Sequence, residues 1–207
     1  EFCTGRRLHS HLELATAICK YNPDDSITCY GSGCGVHGVI KSAIVNIFEV
    51  PETKVRTIQP YIGGSFGGRL NPYVEGLCYM MTHFLKKSCA YQYTRKEQFE
   101  GSPFAWPVYS RVKYGATKDG RVIAQDYDCV EEIGAVQGNV SYTGRLSSSG
   151  AVCVYDIDNI HMDTAAVVTN TMPVGAFRVL GCPESEFGME VMMNVLAEKL
   201  HMSPVEI

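Results

Sequence analysis

The sequence predicts an α+β fold with mixed or antiparallel sheets and helices packed on one face, divided into two α/β subdomains that meet near residue 100. Two observations support this prediction. Segments with the two-residue period of strands alternate in mixed order with segments that have the 3.6-residue period of amphipathic helices. Asp119-Gly120, flanked by two long alternating runs, is a strong hairpin signal and indicates antiparallel pairing in the second half.

Residues 1–100 are expected to form the first subdomain. Its predicted elements are strands at residues 11–18 and 26–30, a helix at 37–48, a strand at 55–58, a helix at 72–87 that Asn71 caps, and a strand at 90–94. The turn residues of Asn22-Pro23-Asp24-Asp25 lie between the first two strands. These strands are therefore expected to form a hairpin.

Residues 101–207 are expected to form the second subdomain, after a break at Gly101-Ser102-Pro103. Its predicted elements are strands at residues 108–117, 122–130 and 160–169, a loop at 141–150, an irregular segment at 170–183 and a helix at 183–200. The chain shows no short-period repeat, so no solenoid is expected.

Composition and charge exclude several classes of function. The 207 residues carry a net charge of −4, so no basic face for nucleic acid is expected. The apolar stretches are too short for a membrane span, and the N-terminus resembles the middle of a domain more than a signal peptide. Nine cysteines without a C-x-x-C pair indicate reduced thiols in a cytoplasmic protein.

The most informative segment is the glycine-rich run at residues 63–68, Gly-Gly-Ser-Phe-Gly-Gly. Glycines leave backbone N–H groups uncovered, and a bare loop between a strand and a helix is a place where an anionic or oxo-rich ligand can bind. Arg69-Leu70 follows, where a phosphate-binding P-loop would have Lys and Ser or Thr. The local pattern leaves two interpretations open, a ligand cradle and a structural turn.

A second glycine-rich run, Gly33-Cys34-Gly35-Val36-His37-Gly38, matches G-x-G-x-x-G between a predicted strand and helix. A dinucleotide site would need an acidic residue about 20 positions later. Residues 56–59, Arg-Thr-Ile-Gln, contain none. A tight turn with close backbone approach is therefore favoured, while a nucleotide site and another cofactor-facing loop remain alternatives.

Two other groups of titratable residues favour structural roles. His9 and His11 are spaced to share one strand face, where Glu13 could hydrogen-bond His11, but no third metal ligand accompanies them. Glu131 and Glu132 are adjacent in a strand, so their side chains point to opposite faces and are expected to be solvated.

Residues 170–178, Asn-Thr-Met-Pro-Val-Gly-Ala-Phe-Arg, form the second informative segment. It is irregular and nearly uncharged, and Arg178 is its single charge. Such an arginine could hold an oxyanion or could pair with a carboxylate, and the local pattern does not choose between them.

The two loops together resemble those of the xanthine dehydrogenase/aldehyde oxidase family of molybdenum hydroxylases. The resemblance rests on residues 63–69 and on residues 169–184, with support from His11-Leu12-Glu13, Val50-Pro51-Glu52 and residues 114–120. It covers nearly the whole chain and implies the two molybdopterin-binding subdomains of that family.

This resemblance implies a molybdopterin cofactor whose dithiolene, and no protein side chain, ligates the metal. No metal-ligand cluster is therefore expected in the chain. The residues implied to contact the cofactor are Gly64, Ser65, Phe66, Gly67 and Gly68 in the first loop, and Ala176, Phe177 and Arg178 in the second. Fixed backbone donors of this kind suit developing oxyanion charge.

The implied reaction is hydroxylation of an aldehyde or an N-heterocycle with water as the oxygen source. Electrons would leave through iron–sulfur clusters and often FAD, which the family carries on partner domains or subunits. The family's catalytic glutamate lies in a Gly-x-Gly-Glu motif that this sequence lacks. The chain is therefore expected to be a fragment of a larger molybdenum subunit that binds no cofactor and is inactive alone.

Several positions depart from the family pattern. Leu70 stands where purine-oxidising members carry a glutamate, and Leu180 stands where they carry a substrate-stacking phenylalanine. These two leucines are expected to line an apolar substrate pocket, which argues against xanthine. A glutamine that the family often carries is replaced at Cys34 or Gly35. A non-catalytic cofactor-binding or scaffold paralogue is therefore the alternative.

Overall fold

The computed structural model describes residues 1–136 and 149–207 as two compact units. The loop unit comprises residues 8–103, and the hairpin unit comprises residues 1–7 together with 104–207. This division differs from the expected one at residue 100. Residues 1–7 pack with the second half of the chain because Phe2–Cys3 forms a strand, β1, that pairs antiparallel with Tyr109 and Ser110.

The loop unit is a four-stranded mixed sheet covered by helices. Its elements in chain order are β2 (Thr16–Tyr21), β3 (Ile27–Gly31), a π-helix (Val36–Ile40), α1 (Lys41–Phe48), a 3₁₀ turn (Glu52–Lys54), β4 (Val55–Ile58), α2 (Tyr73–Leu85), β5 (Cys89–Gln92) and α3 (Arg95–Gly101). The strand order is β4-β3-β2-β5. β2 and β3 form the predicted hairpin, β4 pairs parallel with β3, and β5 pairs antiparallel with β2.

One face of this sheet carries the core of the loop unit. Ala17, Cys19, Cys29 and Val55 alternate inward along their strands. They pack in one cluster with buried side chains of the two helices, among them Ile44 and Cys78. Both helices therefore cover the same face, as the sequence predicts.

Three predictions for this unit need correction. Residues 11–15 lie outside any strand, because Ser10 takes a left-handed φ of 46° and the segment turns toward the glycine loop. The first turn of the predicted 37–48 helix is a π-helix, in which the N–H groups of Val39 and Ile40 both bond to the carbonyl of Gly35. The α2 helix begins at Tyr73 with Pro72 in the N-cap position, so Asn71 lies one residue before the cap.

The hairpin unit is built on a second four-stranded sheet, in the order β1-β6-β7-β8. Its remaining elements are β6 (Val108–Ala116), β7 (Val122–Gly134), β8 (Asn159–Val168) and α4 (Cys182–Leu200). The β6–β7 hairpin confirms the Asp-Gly prediction, with Gly120 at a φ of 95°. β8 pairs parallel with β7.

The core of the hairpin unit lies between its sheet and α4. The fully buried side chains Trp106, Val108, Tyr127 and Met189 belong to one cluster. Of the predicted loop at 141–150, residues 141–148 lie outside the described residues, and 149–150 are helical. Among the helices of the described ranges, none has the length and hydropathy to cross a bilayer.

Candidate functional site

The glycine-rich loop of residues 63–68 contains a tight turn with left-handed backbone. Gly68 donates to the carbonyl of Ser65 at 2.9 Å, and the two residues between them, Phe66 and Gly67, have φ values of 50° and 98°. These values are typical of a type I′ turn, which glycine adopts freely and a bulky residue adopts at a cost. Phe66 is held in this conformation with its ring half exposed.

The loop presents a row of unused hydrogen-bond donors. Within the described ranges, the backbone N–H groups of Gly64, Ser65, Phe66 and Gly67 have no acceptor. The hydroxyl of Ser65 is buried and has no partner there either. Unpaired buried polar groups are costly, so such a loop is suited to an acceptor-rich ligand. These donors fit the oxygen atoms of a molybdenum cofactor.

A buried arginine fixes the end of this loop. Arg69 is 3% exposed, and its guanidinium donates to the carboxylate of Glu13 at 2.8 Å and to the carbonyl of Ser32 at 3.3 Å. Its other terminal nitrogen donates to the carbonyl of Glu13. Glu13 also accepts from the N–H of Gly63 at 2.6 Å, so one carboxylate joins both ends of the loop. Arg69 thus positions the loop, whereas the sequence shows only a basic residue after the glycines.

The charge state of this network follows from its contacts. His11 is 2% exposed and donates from Nδ1 to the carbonyl of Glu13 at 2.6 Å, so the predicted contact between the two residues is made through the backbone. Burial and the positive charge of Arg69 lower the pKa of His11, which favours its neutral form. Burial raises the pKa of Glu13, but hydrogen bonds from Arg69 and Gly63 outweigh it, and the net pKa is lowered.

Two glycines of the loop lie against neighbouring side chains. A Cβ added to Gly68 would lie 2.7 Å from the ring of His9, and one added to Gly63 would lie 2.6 Å from Cβ of Glu13. His9 and His11 therefore line the back of the loop. No group of three or more metal-ligating side chains exists among the residues that the structure describes.

In the G-x-G-x-x-G run, Gly33 provides the predicted close backbone approach, whereas Val36, His37 and Gly38 belong to the π-helix. A Cβ on Gly33 would lie 2.1 Å from Cδ1 of Ile40 and 3.1 Å from Oε1 of Glu75. Burial raises the pKa of Glu75, against hydrogen bonds from backbone N–H groups and the charge of Arg69. The exposed Cys34 donates its N–H to the carbonyl of Arg69 at 2.8 Å. This run therefore lies beside the glycine-rich loop.

The second candidate segment, residues 170–178, is anchored to the hairpin unit through its backbone. Gly175 donates to the carbonyl of Phe104 at 2.9 Å, and Val174 and Ala176 are buried. Gly134, with a φ of 79°, allows close approach, because a Cβ there would lie 2.5 Å from the carbonyl oxygen of Met172. Residues 170–178 therefore follow the irregular path that the sequence predicts, and backbone contacts hold them in it.

Arg178 is the free cation of this segment. It is exposed and makes no hydrogen bond or ion pair within the described part of the chain. The carboxylate nearby in sequence, Glu184, is 2% exposed and pairs with Arg7, whose guanidinium also lies 5.3 Å from the centroid of the Phe177 ring. Sequence reasoning did not identify Arg7, because a lone arginine far from the segment carries no local signal.

Three left-handed residues in succession follow the segment. Val179, Leu180 and Gly181 have φ values of 65°, 51° and 103° and lead into the N-terminus of α4. Only glycine adopts such φ values freely, so Val179 and Leu180 are strained. These φ values turn the backbone sharply just after Arg178.

The two leucines predicted for the substrate pocket lie in different units. Leu70 follows the glycine-rich loop and is half-buried. Leu180 is half-buried against the core of the hairpin unit, so part of its surface serves packing. Each leucine lies next to its own candidate segment, and its role in a substrate pocket remains a prediction.

The Glu131-Glu132 pair is not solvated as predicted. Glu131 is 1% exposed on the core face of β7. Glu132 accepts hydrogen bonds from Thr169 and Thr171, both at 2.7 Å, and pairs with Arg6 at 2.5 Å. These contacts lower the pKa of Glu132. The prediction of opposite faces was right, but Glu131 is buried in the core and Glu132 is held by hydrogen bonds and an ion pair.

The chain is similar to known molybdopterin-binding proteins over its whole length. The whole chain, residues 1–207, matches the family described as "Molybdopterin cofactor-binding domain". It is 31% identical to the nicotinate dehydrogenase large molybdopterin subunit of Eubacterium barkeri, with 100% of this chain and 48% of that protein aligned. It is 29% identical to the aldehyde oxidoreductase of Megalodesulfovibrio gigas, with 100% of this chain and 23% of that protein aligned.

Among solved structures, the aldehyde oxidoreductase from Desulfovibrio gigas superposes with a TM-score of 0.89 at 27% identity. The match covers 99% of this chain and 22% of that one. The chain therefore spans about half the length of one relative and about a quarter or less of the others.

Proposed function

Because the chain belongs to the molybdopterin cofactor-binding domain family, we propose that it is part of the molybdenum subunit of an oxidoreductase that hydroxylates an aldehyde or an N-heterocycle. Water would be the source of the oxygen atom. The observation that supports this most is the row of unused N–H groups at Gly64, Ser65, Phe66 and Gly67, beside the unpartnered hydroxyl of Ser65. No acceptor among the described residues uses these donors, so an oxygen-rich group is the natural partner.

In this proposal each loop has a distinct role. Gly64, Ser65, Phe66 and Gly67 donate backbone hydrogen bonds to the oxygen atoms of the cofactor, and Gly68 contacts it while its own N–H closes the turn. Ala176, Phe177 and Arg178 contact it from the second segment, where the unpaired guanidinium of Arg178 stabilises negative charge that develops during the reaction. The bound molybdenum cofactor would supply the two-electron redox chemistry. Leu70 and Leu180 would line an apolar substrate entrance.

The substrate class follows from the relatives and from these leucines. One relative is named for an aldehyde activity and another for nicotinate, an N-heterocycle. Leucines at both pocket positions offer no hydrogen bond to the oxygen and nitrogen atoms of a purine. The proposed partners are the rest of the molybdenum subunit and iron–sulfur and flavin domains or subunits, in a cytoplasmic complex.

The proposal is tested on the intact subunit, purified with its partners from a host that makes the cofactor. Mass spectrometry should find molybdenum, and turnover of aldehydes or N-heterocycles should follow. A preparation without molybdenum contradicts the proposal. Molybdenum without turnover of either substrate class would support the alternative, a non-catalytic paralogue.

An arginine substitution tests the second loop. Arg178→Gln should leave the melting temperature unchanged, because Arg178 has no partner within the described residues, and should lower kcat/KM by about 10²–10³-fold. Arg56→Gln is the matched control, since Arg56 is also exposed and unpaired there. Equal kcat/KM values for the two variants would remove Arg178 from the proposed site.

A further inference from the structure

The β8 strand is an exposed sheet edge of unusual length. Nine of its ten residues are exposed, and among residues 1–136 and 149–207 it pairs with one strand, β7. The other edge strands of the described ranges are short: β1 has two residues, and β4 and β5 have four each. Short edges protect folded proteins from unwanted pairing, so a ten-residue edge is expected to be covered in the functional protein.

The composition of β8 divides the strand into two halves. His161 and Asp163 make its first half charged, and His161 bonds to Asp126 of β7 at 3.0 Å. Residues 164–168, Thr-Ala-Ala-Val-Val, carry no charge and no proline. Val167 and Val168 are 39% and 69% exposed. The second half therefore lacks the lysines and prolines that normally block an edge.

The direction of pairing strengthens this point. β8 runs parallel to β7 over its full length. Sheets made only of parallel strands are almost always covered on both faces. β8 adds a parallel pair to a mixed sheet, so its direction fits a further covering strand but does not by itself require one.

The backbone shows which amides are free. Thr169, the residue after β8, donates its N–H to the carbonyl of Gly134 in β7 at 3.1 Å. N–H directions alternate along a strand, so Ala165 and Val167 also point toward β7. The N–H groups of Ala166 and Val168 point to the outer edge.

We propose that residues 164–168 receive an extended strand from the part of the molybdenum subunit that lies outside residues 1–207. The inference rests on the proposed function, because it takes the relatives' greater length as a guide to the intact protein. A segment of the same subunit is available at high effective concentration. The occupant is uncharged and free of proline where it faces these residues, since each carbonyl on the outer edge needs an N–H donor, which proline lacks, and each valine needs an apolar neighbour.

Hydrogen exchange on the intact subunit, resolved to single residues, tests the proposal. Ala165 and Val167 serve as internal references, because β7 protects them in either case. With a strand added, Ala166 and Val168 should exchange about 100-fold or more slowly than an unbonded amide. Fast exchange at Ala166 and Val168 beside slow exchange at Ala165 and Val167 would overturn the proposal.

A charged substitution gives a second readout. Val168→Lys should lower the melting temperature of the intact subunit by about 2–4 °C, since it places a charge in a covered edge. The matched control is Val205→Lys, at a valine that is 95% exposed outside any strand, and it should change the melting temperature by less than half as much. Equal shifts for the two variants would contradict a covered edge.

Dilution and metal content distinguish a strand of the same subunit from a second copy of it. If a second copy filled the edge, slow exchange at Ala166 would be lost on dilution to the monomer, and that result would overturn the proposal. Molybdenum is measured on the same preparation. Fast exchange at Ala166 and Val168 in a subunit that contains molybdenum would contradict the added strand but not the proposed function. Slow exchange at these amides in a subunit without molybdenum would contradict the proposed function but not the added strand.

Discussion

At the residue scale, Gly68 is confined by the ring of His9. The Cβ of any other residue would come within 2.7 Å of that ring, which is itself buried and cannot easily retreat. The glycine therefore serves close approach more than backbone freedom, whereas Gly64 and Gly67 have φ values of 102° and 98° that favour glycine. The glycines of this one motif therefore have two different roles: close approach at Gly68 and a left-handed backbone at Gly64 and Gly67.

We predict that Gly68→Ala lowers the free energy of unfolding by about 1–3 kcal/mol, the usual cost of overpacking. The same change at Gly76, inside α2 with no atom within 4 Å of its added Cβ, should raise it by about 0.5–1 kcal/mol through helix propensity. Urea unfolding of both variants measures the difference. A neutral Gly68→Ala would show that His9 can move aside.

Arg69 shows how one residue converts a sequence motif into a rigid site. Its two terminal nitrogens donate to Glu13 and to the carbonyl of Ser32, and the side chain is buried, so it is not exposed to a ligand as Arg178 is. Arg178 has the opposite position, exposed and unpaired within the described residues. The sequence alone does not distinguish a structural arginine from a functional one, because the distinction depends on which carboxylate lies nearby in space.

At the element scale, α3 is a seven-residue helix that the sequence pattern did not predict. Arg95–Gly101 is too short for a clear amphipathic period, and its signal lies at the cap. Thr94 accepts from the N–H of Glu97 at 3.2 Å, and Glu97 accepts from the N–H of Thr94 at 2.7 Å. This reciprocal capping box is readable as Thr-Arg-Lys-Glu in the sequence.

Loss of this cap should be measurable. Thr94→Ala is expected to lower the free energy of unfolding by about 1 kcal/mol, because the N–H of Glu97 loses its acceptor. Lys96→Ala in the same helix should cost well under half as much, about 0.3 kcal/mol, since Lys96 forms only an exposed pair with Glu100 at 3.9 Å. Chemical denaturation provides the test. Equal costs would mean that α3 is held by packing, with no contribution from its cap.

At the scale of the whole molecule, stability should depend on pH through His11. Its pKa is lowered from the ordinary value of 6.5 in the folded chain, so below that value the unfolded chain binds the proton more readily. The stability that neutral His11 contributes is therefore fully present above pH 6.5 and is lost as the pH falls below it. His161, whose pKa Asp126 raises, acts in the opposite direction above 6.5, where stability is lost as the pH rises.

We therefore predict that the melting temperature of the wild-type chain falls between pH 6.5 and pH 5 more steeply than that of His11→Gln. Differential scanning calorimetry at several pH values gives both curves. Buried Glu75 affects both proteins alike, so the difference between the curves reports on His11. Parallel curves would show that His11 does not keep a lowered pKa.

Local sequence patterns are enough to predict the α+β class, the β2–β3 and β6–β7 hairpins and the long helices α2 and α4. They also identify the segments 63–69 and 169–184, which carry the family resemblance. These features depend on periodicity, turn chemistry and short motifs, which neighbouring residues encode together. The β6–β7 hairpin is an example, since Asp119-Gly120 marks its turn, although an irregularity between Gly115 and Ala116 shifts the register of the two strands.

Long-range packing, by contrast, places residues 1–7 with the second half, buries Glu131 and pairs the carboxylate of Glu184 with Arg7. It also pairs Arg69 with Glu13, while the N–H groups of residues 64–67 have no acceptor within the described ranges. Each outcome depends on partners distant in sequence. Local patterns carry no record of such partners, because burial and pairing are properties of the folded chain.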